Sequence, residues 1–298
     1  MKKVHILFLL LFCSPFPAHS ESNVSVNSLN YPVWAERDQS VIALSVGDEL
    51  ENGDLIKTGE NGRAWLSMTD GSVIKLGQNT QFQINKASYV ENDQGTVLDV
   101  ALKVLKGAFR FTTGFFNPER RTPHQVNVQI GAITAGIRGT DIWGRSTESE
   151  DFVTLLDGAI NVVADDEVPT RIDQPLALYS KKAGMPAEMS TISAPLSGIL
   201  AMETELSKAE GIASIEGQYD LMLMSLMDGA IALDNMNRFK QAGYGVKKQF
   251  ITVGEQRFTR LFLPGFSTME AAQNQSIMLV DRFGIDSFWI KKNNPYLN

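Results

Sequence analysis

The chain has one cysteine and three histidines in 298 residues, and each scarcity removes a class of chemistry. Cys13 lies inside the first twenty residues, with His5 and His19. Once that segment is cleaved no thiol remains, which excludes a disulfide, a cysteine nucleophile and a Cys-ligated metal. His124 is then the sole histidine, beside Arg120, Arg121 and Pro123 in an expected loop. A Ser-His-Asp triad would have to use it, and the G-x-S-x-G elbow that presents such a serine does not occur. Basic charge is also in deficit. Without Lys2 and Lys3 the formal charge is −9, a poor basis for holding nucleic acid, whose binding relies on neutralised phosphates. After the first twenty residues no apolar run reaches the length of a membrane-spanning helix.

The start of the chain differs from the rest. Lys2 and Lys3 precede an apolar run from Ile6 to Phe12, then Pro15, Pro17 and Ala18-His19-Ser20. This is the pattern of a secretory signal peptide over residues 1–20, with cleavage expected after Ser20. Export without disulfides suits a bacterial periplasm, and periplasmic localisation is the expectation. Phe12, where a lipoprotein signal carries a small residue, argues against lipidation at Cys13.

Between about 35 and 168 the residues alternate. Leu98, Val100, Leu102 and Val104 share one side of a long strand; Val126, Val128 and Ile130 alternate with Asn127 and Gln129. Period two with one apolar face predicts sheets buried on one side. Asn52-Gly53, Asn61-Gly62, Asp70-Gly71 and Asp157-Gly158 supply turn residues that tolerate positive φ. Asp48, Asp54 and Asp70 are expected to hydrogen-bond their own turns. Many short strands at this spacing predict a sandwich, roll or barrel.

Residues 169–214 collect prolines and read as a linker, with a connecting helix over Leu196 to Glu210. From 215 to 298 the period changes and the sequence repeats itself. "YDLMLMSLMDGAIALDNMNRFKQAGYGVKKQFITV" lies over "FTRLFLPGFSTMEAAQNQSIMLVDRFGIDSFWI". In each copy an alternating strand leads to an amphipathic helix closed by glycine, Gly243 or Gly284, and a second strand follows. Two such units predict β-α-β-β-α-β, an antiparallel four-stranded sheet with two helices on one face.

Two resemblances follow from these residues. "VGDELENGDLIKTGENGRAWLSMTDGSVIKLGQNTQFQI", "LKGAFRF", "IRGTDIW" and "VTLLDGAINV" resemble the FecR family over roughly 41–165. That implies an all-β, jelly-roll-like domain. The best-known FecR-type proteins are membrane-spanning anti-sigma regulators, and others are stand-alone envelope proteins. Here a cleavable signal stands where those regulators carry a sigma-binding segment and a membrane helix, so a direct anti-sigma role is not expected. Residues 215–294 resemble the SPOR domain, an α+β ferredoxin-like fold that typically binds peptidoglycan. Met222 replaces the glutamine usual in its opening strand.

The fold expectation is therefore multidomain: an all-β FecR-like roll, then an α+β SPOR-like domain. Gly136-Ile137-Arg138-Gly139-Thr140-Asp141 has neither P-loop nor Rossmann spacing. Gly136 and Gly139 read as a bulge or corner, and Arg138-Gly139-Thr140-Asp141 as a structural motif in which Arg138 pairs with a nearby carboxylate, such as Asp141 or Asp157, or bonds turn carbonyls. The candidate ligand-binding residues are Met222, Met224, Arg260, Phe262 and Trp289. They fall on the sheet face opposite Leu221, Leu223, Leu261 and Leu263, unless the connecting helix or the β domain covers it. No catalytic residue, metal ligand or cofactor is expected. The expected function is that of a non-enzymatic envelope protein whose SPOR-like domain grips peptidoglycan glycan strands while the FecR-like domain presents a protein- or glycan-binding surface; the alternative is a signalling or assembly partner in which both domains bind envelope proteins.

Overall fold

The computed structural model describes residues 23–92, 95–114, 124–165, 167–285 and 287–293. The expected signal segment with Cys13, and the expected loop with Arg120, Arg121 and Pro123, lie outside them; His124 opens a strand, but its side chain is also outside. The chain is mostly β. Its N-terminal part is built from two sheets. One runs, neighbour to neighbour, through Ser40–Ala43, Val33–Arg37, Leu55–Thr58, Gln81–Asn92, the first part of Gly95–Thr112, His124–Ile130, Ile133–Ile137, Ile160–Ala164 and Thr170–Ile172. The other runs through Glu188–Thr191, Ala177–Lys182, Glu150–Asp157, Asp141–Ser146, the end of Gly95–Thr112, Val73–Leu76, Arg63–Met68 and Val24–Asn30.

The long strand Gly95–Thr112 belongs to both sheets, and Gly107 is where it crosses. Lys106 still pairs with Gln81 of the first sheet, whereas Gly107 pairs with Ser146 of the second. Gly107 has φ +90, and a Cβ built there would lie 2.6 Å from the Thr80 Cα, so a side chain would meet both strain and a wall. Between the sheets the alternating apolar residues meet as the sequence predicts. Phe82, Leu102, Val104 and Val128 face Leu66, Ile74, Phe109 and Phe111 in one buried cluster.

The proline-bearing stretch departs from the linker expectation. Thr170–Ile172, Ala177–Lys182 and Glu188–Thr191 extend the two sheets. Pro175 and Pro186 sit between these strands, where a missing N–H breaks no ladder bond. Helix α1 (Ala194–Thr204) follows, capped by the Ser193 hydroxyl and started by Pro195.

The C-terminal part has the opening strand Tyr219–Leu226, helix α2 (Gly229–Gln241), strands Lys247–Val253 and Gln256–Phe266, helix α3 (Met269–Phe283) and the last strand Trp289–Lys292. Across the sheet the order is last, opening, third, second, with every pair antiparallel. Asp228 and Thr268 cap the helices through their side-chain oxygens. Phe239 of α2 and Leu279 of α3 join the same apolar cluster as the N-terminal sheets.

The two parts share this core and a polar seam. Ala213 and Ser214 pair with Leu29 and Ser28 on one side, and Ala213 pairs with Phe266 on the other. Tyr31 stacks on Tyr244 with ring centroids 5.5 Å apart. The Val33 N–H donates to the Gly243 carbonyl at 2.9 Å, and the Ser45 hydroxyl donates to the Gly245 carbonyl at 2.5 Å. Lys247 reaches Asp48 at 3.0 Å.

Burial pushes the Tyr31 phenol above its ordinary value, and Tyr244 moves the same way for the same reason. A folded-state pKa above the unfolded value of about 10 gives stability that is complete below that pH and is lost above it, where the unfolded chain ionises first. The melting midpoint is expected to hold from pH 7 to 9 and to fall beyond pH 10. Tyr31→Phe should make that alkaline fall shallower, by at most about 1.4 kcal/mol per pH unit. Identical slopes for the two proteins would contradict the burial of this phenol.

Candidate functional site

The opening strand of the C-terminal sheet buries Leu221 and Leu223, and the third buries Leu261 and Leu263, all in the cluster that includes the helices. Directly opposed residues on antiparallel strands share a face. Met222 is opposite both Phe262 and Trp289, so these three lie together on the other side. Arg260, two residues before Phe262, points the same way. Its guanidinium lies 5.1 Å from the Trp289 ring, and its Nε–H donates to the Ser225 hydroxyl at 3.1 Å.

Two of the five candidate residues depart from expectation. The ladder shifts register between Met222 and Met224, so Leu223 and Met224 both come against Leu261. A bulge of this kind turns the second residue to the opposite face, and Met224 packs against the main core with the helices. Met222 keeps the outer side but is only 1% exposed. What the face offers is the Trp289 ring, 41% exposed, with Phe262 and Arg260 half-buried beside it. This arrangement supplies stacking area and one guanidinium. Helix α1 does not roof it: Leu200 packs with Ala108, Trp143 and Ile192 on the N-terminal part.

The glycine-rich stretch of the N-terminal part is structural in geometry. Gly136 lies within a strand, opposite Asn127 and Asn161, and is not at a bend. The bend is at Gly139, with φ +66, where the chain passes from the first sheet to the second. Thr140 is buried there and exchanges backbone and side-chain hydrogen bonds with Thr113. Asp141 pairs with Arg110 and not with Arg138: Arg110 Nε and Nη2 donate to its two oxygens at 3.0 and 2.6 Å. Strand register decides this. Asp141 is opposite Thr112 and Trp143 is opposite Arg110, so Arg110 lies diagonally across from Asp141 on the same face. The bond to Asp141 holds Arg110 more firmly protonated than usual. Arg138 is exposed and makes no ion pair among the described residues.

Sequence reasoning missed one cavity. A cleft of about 640 Å³ opens between the second N-terminal sheet and the end of α1, lined by Arg63, Asn79, Lys106, Arg145, Glu148 and Glu203. Burial lowers the pKa of Arg145, and Glu203 pairs with it. These residues are spread over more than 130 positions of sequence, with no motif to join them.

Residues 54–161 match the model of the family described as FecR protein, so the chain carries a FecR family domain there. The C-terminal sheet and its helices lie outside the matched residues. Two crystal structures of a protein from Parabacteroides distasonis, named as a candidate anti-sigma factor, align with 68% of this chain and 96% of their own. They are 9% and 10% identical to it, with TM-scores of 0.37 and 0.38. No curated protein matches the sequence.

Proposed function

We propose that this protein is a regulatory or signalling component of the cell envelope, exported by its N-terminal segment and acting by binding a protein rather than by catalysis. The FecR family match over residues 54–161 carries the reading. FecR-like domains resemble one another in an all-β fold whose best-known members are regulators. The C-terminal part, read as SPOR-like, adds the outer face of its sheet as a contact surface. There Trp289 and Phe262 provide flat apolar area and Arg260 a directional donor, a combination enriched where proteins meet.

A second reading, glycan binding on the same face, is favoured by the exposed Trp289 ring, on which a sugar can stack. The burial of Met222 and the inward turn of Met224 leave less room for it. Co-sedimentation of the full mature chain with purified sacculi separates the two. The protein-binding reading predicts recovery no greater than that of an unrelated soluble protein, unchanged by Trp289→Ala. Saturable recovery that falls about tenfold in Trp289→Ala would overturn it in favour of glycan.

A further inference from the structure

Helix α1 and the stretch after it lie across the outward side of the second N-terminal sheet, over an unusual row of side chains. On successive strands Trp65 is opposite Lys75, Lys75 is opposite Arg110, and Arg110 is opposite Trp143. Trp-Lys-Arg-Trp therefore forms one line on one face, with Arg63 and Arg145 two residues further along the flanking strands. Lys75 lies 5.1 Å from the Trp65 ring and Arg145 5.3 Å from that of Trp143.

Three carboxylates of the covering stretch meet these cations. Glu203 pairs with Arg145. Glu205 pairs with Lys75 at 2.7 Å and with Arg110 at 3.4 Å. Glu210 pairs with Arg63. The sheet approaches closely enough that a Cβ on Gly77 would lie 2.9 Å from the Glu203 carbonyl oxygen.

This cover is held lightly as far as Leu206; at Ser207 it is pinned by the buried Asn30 side chain, which accepts the Ser207 N–H at 2.7 Å and donates to the Ser207 carbonyl at 3.0 Å. Its apolar anchor, Leu200, belongs to a small cluster separate from the main core. The Glu203 and Glu205 side chains are 33% and 43% exposed, and ion pairs that wet are weak in salt. Leu196, Ile199 and Met202 face solvent. Beneath, the indole N–H groups of Trp65 and Trp143 are buried and meet no acceptor among the described residues, although buried indoles usually have one. An occupant bringing more acceptor oxygens would satisfy them.

We infer that the Trp65–Lys75–Arg110–Trp143 row is a docking surface for a carboxylate-rich segment of a partner protein, and that residues 193–206 occupy it as a displaceable stand-in hinged at Ser207. The charge complementarity of the chain's own segment defines the class of occupant. The inference rests on the protein-binding reading and adds a partner chemistry and a switch to it.

The probe is a labelled synthetic peptide of residues 193–210, offered to the full mature chain and to a triple variant, Glu203→Gln, Glu205→Gln and Glu210→Gln. In 50 mM salt the triple variant is expected to bind the peptide at least tenfold more tightly than wild type. Adding Lys75→Ala and Arg145→Ala should abolish that gain. Deuterium uptake should rise across 194–206 and stay unchanged in the core strands. Unchanged uptake would show that the segment does not lift, and raised uptake without peptide binding would show that the row is no docking surface; either overturns the inference. Equal binding of alginate at matched charge overturns the assignment to a protein segment. Should the triple variant lose its cooperative melt, wild type is read alone: uptake over 194–206 should rise selectively between 50 and 500 mM salt, and no rise overturns the inference. Because the probe is the chain's own segment, these failures leave the C-terminal face as a protein contact untouched.

Discussion

Gly243→Ala is expected to lower the melting midpoint by roughly 6–10 °C, corresponding to a loss of about 3 kcal/mol in a domain of this size. Two costs add. Gly243 closes α2 with φ +85, a left-handed conformation that costs a residue with a Cβ roughly 1–2 kcal/mol. A Cβ there would also lie 2.5 and 2.6 Å from ring carbons of Trp34 and 2.7 Å from Pro32. The indole must then move, which endangers its 3.3 Å bond to the Gln241 carbonyl and the Val33–Gly243 bond beside it; overpacking of this kind costs about 1–3 kcal/mol. Gly254→Ala is the control. Its φ is +62 and its Cβ would meet nothing within 4 Å, so only the backbone cost applies. Equal midpoints for the two variants, read by thermal denaturation, would contradict the tight junction between the N- and C-terminal parts.

Arg37→Ala is expected to cost about 3 kcal/mol. Asp54 is fully buried, and Arg37 clamps it through Nε and Nη2, both at 2.7 Å. The carboxylate also accepts the Glu51 N–H at 2.9 Å. Burying two charges is itself of little net benefit, but removing one partner strands the other, typically at about 3–5 kcal/mol. The lower end applies because the Arg37 side chain is 26% exposed. The double variant Arg37→Met with Asp54→Leu should recover most of that loss, since no charge is then stranded. Urea denaturation of the two variants checks both statements. A double variant as unstable as Arg37→Ala would show that packing, not the stranded carboxylate, sets the cost.

Local patterns were legible where one physical cause acts over a few residues. Alternation placed Leu102, Val104 and Val128 in the core, and Gly243 and Gly284 ended helices α2 and α3 with positive φ. Asp48, Asp54 and Asp70 accept hydrogen bonds from N–H groups of their own turns, those of Ser45, Glu51 and Ser72. What escaped is long-range or degenerate. The clamp between Arg37 and Asp54 joins the end of strand Val33–Arg37 to the turn before Leu55–Thr58, and the Arg110–Asp141 pair depends on a register that only the folded sheet defines. The bulge that turned Met224 inward lies in Leu221-Met222-Leu223-Met224, where every residue is apolar. Such a run fits the core equally well in either phase, so alternation has no power there. The prolines of 169–191 read as a boundary because Pro breaks ladders, yet Pro175 and Pro186 fall in the turns between paired strands. The candidate face was legible in part: Arg260, Phe262 and Trp289 converge, Met222 is sunk beside them, and the cleft near Arg145 left no trace in the sequence.

The claim on which the account turns is that this chain works by holding another protein. Photo-activated cross-linkers placed at position 289 on the C-terminal face and, in a second strain, at position 202 on the solvent side of α1 test it in living cells. The account predicts a discrete protein adduct of constant mass from position 289, abolished when Arg260 is replaced by alanine. Adducts consisting only of cell-wall fragments, or turnover of such fragments by the purified protein, would contradict it.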